Sequence, residues 1–270
     1  MPEATRGCED ACGVGVDSCR DGAWQGCVVP DASRPCQSVC GPGVELCRAG
    51  EWRACNAPQP RPPKITATVR DFSPRTHPDF EASYMPGVDL GIVRSELGMD
   101  DKPVYTIRPR TKSTSGPDTF RQWFHDDPSV NRSAPFELQL ALAPGKNEVL
   151  FQYDNHAFFP IDGQLFGNEG NEHNFHFTLE ASTRFQYVGG ETFSFSGDDD
   201  MWVFINRRLT IDLGGLHPSM SADVSLDAEA GRLGLELGGT YPLHFFFAER
   251  HTDQSNFTIR TTIAEPGSCE

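Results

Sequence analysis

The 270-residue sequence predicts an all-β protein: an antiparallel β-sandwich preceded by a small disulfide-rich module. Three observations predict it. Beyond residue 64, apolar and polar residues alternate with period two in one short segment after another, the mark of half-buried strands. Gly (26) and Pro (21) punctuate the chain so densely that helices should be short and few. Eight of the nine cysteines lie within the first 55 residues, where a segment too small to bury a core needs staples.

Those eight cysteines form a repeat. Cys8, Cys12, Cys19 and Cys27 recur as Cys36, Cys40, Cys47 and Cys55, each 28 residues further on. Gly13-Val14-Gly15 is matched by Gly41-Pro42-Gly43, and Gly22-Ala23-Trp24 by Gly50-Glu51-Trp52. Residues 1–55 therefore carry two tandem copies, 8–27 and 36–55, of C-x3-C-x6-C-x7-C. Disulfides are expected for all eight; zinc would call for C-x2-C pairs and His partners at ligand spacing. A self-contained copy of four cysteines allows three connectivities, and spacing does not choose among them. The one Trp of each copy is expected to pack on the sulfur atoms.

Residues 56–63, Asn-Ala-Pro-Gln-Pro-Arg-Pro-Pro, read as a semi-rigid linker. The sandwich is placed at 64–263. Its strand signals run through Ile65, Ala67 and Val69, then Phe136, Leu138, Leu140 and Leu142, then Phe175, Phe177 and Leu179. They continue through Phe193 and Phe195, Val203 and Ile205, Phe245 and Phe247, and Phe257, Ile259, Thr261 and Ile263. So many alternating strands in about 200 residues pack best as two face-to-face sheets. The tail 264–270 holds Cys269, left to pair with another subunit or with chain outside this sequence, or to stay a free thiol.

Disulfides that persist imply an oxidising, extracytoplasmic setting, secreted or at the cell surface. The opening Met1-Pro2-Glu3-Ala4-Thr5-Arg6 has no apolar core, so a mature or trimmed form without its signal peptide is expected. No apolar run reaches the length of a membrane span. The net charge of −15 argues against nucleic acid or an anionic membrane as partner and suits cation uptake.

The densest chemical signal is Gly197-Asp198-Asp199-Asp200-Met201-Trp202-Val203-Phe204-Ile205. Three adjacent carboxylates in a turn between apolar strands repel one another. A hard cation with oxygen ligands, above all calcium, would relieve this. An ordinary acidic turn, its carboxylates capping backbone N–H groups, accounts for the same residues. His173 and His176, three apart on a strand, face opposite ways and read as structural. Trp202 begins an apolar strand and reads as core, though it and Tyr241 have the faces to stack on a sugar. Asp212-Leu213-Gly214-Gly215 reads as a turn where backbone approaches another segment. No G-x-S-x-G, HExxH or phosphate-cradling loop is present, so no enzyme activity is expected.

A set of motifs resembles the fibro-slime domain. They are Asp71-Phe72, His77-Pro78-Asp79-Phe80, Gly91-Ile92-Val93, Pro103-Val104-Tyr105 and Trp123-Phe124, followed by Gly167-Asn168-Glu169-Gly170 and His173-Asn174-Phe175-His176-Phe177. The Asp198–Asp200 stretch and Asp212-Leu213-Gly214-Gly215-Leu216-His217 complete the set. That family is similar to the PA14 β-sandwich of secreted adhesins, lectins and carbohydrate-active enzymes. The resemblance implies a calcium site on a cis-linked Asp-Asp pair, here Asp198-Asp199, because Ile205-Asn206-Arg207-Arg208-Leu209 fills the family's following turn. A second loop, Glu249 to Asn256, would add Asp253 or Asn256 as metal ligands. Sugar hydroxyls would complete the coordination, with Arg250 and His251 at the rim. A non-proline cis peptide costs roughly 3 kcal/mol and needs such compensation.

Two functions follow as expectations. The first is a secreted or surface calcium-dependent adhesin or lectin that binds extracellular polysaccharide or glycoconjugate. The second is a structural subunit of an extracellular fibre or matrix, joined to other copies through the cysteine repeats and Cys269.

Overall fold

A computed structural model describes residues 4–38, 40–84, 86–143, 149–252 and 254–267. Asp253 and Cys269, both singled out above, lie outside the described residues. The chain divides into two compact units, one built on the chain up to Arg61, the other on Pro62–Pro266.

In the first unit each repeat is a three-stranded antiparallel meander. The first is β1 (Ala4–Asp10), β2 (Gly13–Arg20) and β3 (Ala23–Val28); the second is β4 (Ala32–Ser38), β5 (Gly41–Arg48) and β6 (Glu51–Trp52). Cys8–Cys27 and Cys36–Cys55 close the two copies at equivalent places, whereas Cys12–Cys47 runs from one copy to the other. The copies are thus not self-contained. Cys19 is a free thiol, contrary to the expectation that all eight cysteines pair. The reason lies in the register: Cys47 is the repeat counterpart of Cys19, and it takes its partner from the copy before it. The tryptophans are not enclosed: Trp24 is exposed and Trp52 half-buried. The Arg6 guanidinium sits 4.1 Å above the Trp24 ring and that of Arg34 sits 4.2 Å above Trp52, and the same two arginines pair with Asp17 and Glu45. Just past Cys55, Asn56 Oδ1 accepts from the Val44 N–H at 2.6 Å, tying this stretch to the second repeat.

The second unit is the expected sandwich. Its strands are β7 (Lys64–Phe72), β8 (Gly87–Val88), β9 (Asn131–Gln139), β10 (Ala141–Leu142), β11 (Phe151–Asn155), β12 (Phe177–Gln186) and β13 (Thr192–Gly197). They continue with β14 (Asp200–Ile205), β15 (Arg208–Leu213), β16 (Gly215–Leu216), β17 (Met220–Ser225), β18 (Thr240–Glu249) and β19 (Phe257–Thr261). The helices are short: α1 (Pro117–Trp123) and α2 (Leu226–Leu233). One sheet has the order β10-β11-β19-β13-β17, the other β15-β14-β18-β12-β7-β9. Ladders within both sheets are antiparallel.

Period two then sorts the side chains. Met201, Val203 and Ile205 of β14, with Leu243, Phe245 and Phe247 of β18, point between the sheets and meet Phe193, Phe195, Phe257 and Ile259. The other face of the six-stranded sheet is buried too. Trp202, Phe204, Phe246 and Ala248 pack under Phe80, Tyr105, Phe120, Trp123 and Phe124 from the long connection between β7 and β9. Every residue of β14 is buried, so this strand is not half-buried as alternation implied; it lies in the middle of three layers.

The connection is pinned by buried carboxylates. Asp79 accepts from Ser115 N (2.7 Å) and Trp123 Nε1 (3.2 Å), and Asp89 accepts from Ser113 N and Oγ (both 2.9 Å). Gly214 and Gly215 make the predicted close approach, though between strands rather than in a turn. A Cβ on Gly214 would lie 2.7 Å from Asp89 O, and one on Gly215, at φ +112°, 2.4 Å from Gly87 O.

Candidate functional site at the Asp198–Asp199 turn

The turn from β13 into β14 holds the three carboxylates, and they divide between two environments. Asp200 belongs to β14 and points to the same face as Trp202, across the ladder from Ala248. Continuing that face along β18 brings Arg250 beside it. Arg250 Nε donates to Asp200 Oδ2 at 2.7 Å, its Nη1 donates to Ser113 O at 2.7 Å, and the guanidinium lies 4.7 Å from the Trp123 ring centre. Arg250 is 0% exposed. It therefore does not stand at a ligand rim as expected; it is the buried counter-charge of Asp200, because its strand position aims it into the covered face.

Asp198 and Asp199 turn the other way, toward the loop after β18. Asp198 accepts from Asn256 N at 2.6 Å and from Asn256 Nδ2 at 2.7 Å. Asp199, in the left-handed region at φ +59°, accepts from the Arg250 backbone N–H at 2.9 Å. The capping reading and the acidic-cluster reading thus both describe part of the geometry. No cis peptide is found among the described residues, so the Asp198-Asp199 linkage is trans here.

Glu249, which sequence reasoning did not single out, joins them. It is the last residue of β18 and follows Phe245 and Phe247 on the inner face, so its carboxyl enters the same buried space as Asp198 and Asp199. Its Oε2 is buried and has no hydrogen-bond partner among the described residues. The signal was available: a charged residue falling on an apolar-phase position of an alternating strand. Burial pushes the Glu249 carboxyl well above its ordinary range, and the charges of Asp199 and Asp198 push the same way. Burial likewise raises Asp199 to about 7, opposed by Arg250 and reinforced by Asp200.

The donors suit a hard cation in kind, since carboxylate oxygens dominate. Among the described residues, however, no group of three or more His, Cys, Asp or Glu side chains converges as a metal-binding set. The two carboxylates of the turn, Asp198 and Asp199, would need oxygens from backbone, Asn256 or ligand to hold a cation.

The remaining sequence candidates fall as follows. Asn256 Oδ1 also meets His156 Nδ1 at 3.1 Å. His251 is half-buried near Glu81 and His176; burial lowers its imidazole pKa, and its Nε2 is enclosed without a partner among the described residues. His173 pairs with Asp162 at 2.6 Å and His176 with Glu81 at 3.1 Å; both precede β12 rather than standing on a strand, and each meets a different carboxylate. Trp202 is fully buried and donates from Nε1 to Asp212 Oδ1 at 3.0 Å, so it offers no stacking face.

Three kinds of similarity accompany this geometry. Relatives from Dictyostelium discoideum include protein psiQ, 41% identical over 213 residues, covering 74% of this chain and 21% of that protein. Protein psiR is 42% identical, covering 76% of this chain and 22% of its own length. The chain thus spans about a fifth of the length of these relatives. Among solved structures, the PA14 domain of the MpAFP antifreeze protein is 10% identical, covers 45% of this chain and 69% of that domain, and has a TM-score of 0.27, too low to carry an argument. The model of the PA14 domain family matches residues 129–269, which takes in most sandwich strands and the whole acidic turn. With more than half the chain matched, the protein belongs to the PA14 domain family.

Proposed function

We propose that this protein is a calcium-dependent carbohydrate-binding module of an extracytoplasmic protein, of the adhesin or lectin kind, rather than an enzyme. The observation that carries the reading is the adjacent Asp198 and Asp199, both buried in the turn and facing the loop after β18, with the buried Glu249 at the end of that strand carrying an Oε2 unpartnered among the described residues. The nearest cation, Arg250, commits its guanidinium to Asp200. Three carboxyls so placed repel one another unless protonated or bridged by a cation, and calcium takes six to eight oxygens at such sites. Coordination positions not filled by protein would go to water or to vicinal sugar hydroxyls, with Asn256 beside them. Asp253 is the further ligand that the sequence offers. The disulfides of the first unit support an oxidising setting outside the cytoplasm.

Calorimetric titration of calcium into the full chain tests the metal. Binding in the wild type that vanishes in Asp199→Ala supports the site, and the loss of a calcium-dependent melting shift accompanies it. A glycan screen with and without chelator then tests the ligand. Absence of calcium binding by the wild type overturns the reading.

A further inference from the structure

The two cysteine repeats are alike in fold and unlike in what they touch. Their strands, their Arg-to-acid pairs and their Arg-over-Trp contacts recur 28 residues apart. The second copy receives the first on a three-part face. Cys47 bonds to Cys12, the Trp52 indole N–H donates to Ala11 O at 2.8 Å, and Gly50 makes room for Asp10, whose Oδ2 would lie 3.2 Å from a Cβ there.

The counterparts in the first copy are Cys19, Trp24 and Gly22. Cys19 stands across the strand pair from Trp24 as Cys47 stands across from Trp52. Cys19 is half-buried and free. Trp24 is 44% exposed, and its indole N–H meets no acceptor among the described residues. A Cβ on Gly22 would meet nothing within 4 Å.

We propose that Cys19, Trp24 and Gly22 are an acceptor face for the Asp-Ala-Cys turn of a further copy of this repeat, sealed by a disulfide to that copy's second cysteine. Within this sequence Cys12 is spent on Cys47 and Cys40 is not free, so residues 4–55 do not supply the donor. The fitting occupant is a further copy of the same repeat, outside residues 4–55, with its second cysteine reduced. Sealing oxidises two thiols: each gives up a proton and an electron, and a low-molecular-weight disulfide accepts both and leaves as two thiols. Each repeat would then pass its second cysteine to the third cysteine of the next, an extension of the Cys12–Cys47 contact already in place. The proposal stands apart from the calcium site, since all its residues lie in the first unit.

The test incubates the full chain in a glutathione redox buffer with a synthetic copy, residues 4–28 with Cys8–Cys27 closed and Cys19→Ser. A scrambled peptide with one cysteine is the control. The expected result is roughly tenfold more Cys19–Cys12 adduct with the copy than with the control, from the added indole hydrogen bond and packing. Trp24→Ala in the full chain should abolish this advantage. Equal capture of both peptides, or an advantage that survives Trp24→Ala, overturns the proposal. A second chain, with Ala4–Asp31 duplicated ahead of Ala4, removes any dependence on the peptide's folding. In it Cys19 should resist alkylation while the new copy's third cysteine reacts; a Cys19 that still reacts there is equally decisive against it.

Discussion

Arg250 and Asp200 form an ion pair that is wholly enclosed, with Nε donating to Oδ2 at 2.7 Å on the covered face of the six-stranded sheet. A buried charge that loses its partner cannot recover hydration. Arg250→Met or Asp200→Leu should each lower stability by about 3–5 kcal/mol, while Arg250→Met with Asp200→Leu should cost clearly less than the sum. Urea denaturation of the four proteins checks it. Strict additivity would show that the two side chains do not depend on one another.

Asp71 supplies a pH dependence. Its carboxyl accepts from Phe166 N at 2.7 Å and Asn174 Nδ2 at 2.9 Å, but burial outweighs these bonds and raises its pKa from 3.8 to about 6. The folded state therefore holds this proton more tightly than the unfolded chain. The stabilisation is complete below about pH 4 and is lost as pH rises through about 6, roughly 3 kcal/mol in all. Melting temperatures of wild type and Asp71→Asn should differ by an amount that changes across this window; a constant difference from pH 4 to 7 would refute it.

Gly215 is where backbone meets backbone. Gly215→Ala places a methyl 2.4 Å from Gly87 O at a positive φ, whereas Gly163→Ala, also at positive φ, meets nothing within 4 Å. Gly163→Ala should cost about 1 kcal/mol for the backbone conformation alone, and Gly215→Ala about 2 kcal/mol more. Denaturation midpoints of the two variants separate the steric part.

The thiol map should be asymmetric. Alkylation of the native chain followed by peptide mass mapping should modify Cys19 and spare Cys8, Cys12, Cys27, Cys36, Cys47 and Cys55. Cys12→Ser opens a link between residues 35 apart in sequence and should lower the stability of the first unit by about 3–4 kcal/mol.

Much of this was legible in the residues. Alternation at Ile65, Ala67 and Val69, at Phe245 and Phe247, and at Phe257 and Ile259 marks the inner faces of the sandwich because period two leaves one face to each phase. The middle-layer position of β14 was written in Met201-Trp202-Val203-Phe204-Ile205, which is apolar in both phases; alternate residues alone hid it. Arg250 was misplaced because it follows the strand, where a charge reads as loop, although the phase of Phe246 and Ala248 carries it inward. The cysteine offset was visible in the sequence. The Cys12–Cys47 crossing was not, since it depends on how the second copy lies against the first.

The placement of β14 and β18 between two apolar layers governs how the second unit opens. Water reaches their amides after either the cover at Phe80, Phe120 and Trp123 or the opposing sheet has lifted away. Backbone amides of these two strands should exchange with deuterium more slowly than those of β10 and β17 at the rims of the five-stranded sheet. The calcium candidates Asp198, Asp199 and Glu249 sit at the ends of those slow strands, so the turn is anchored to the part of the molecule that yields last.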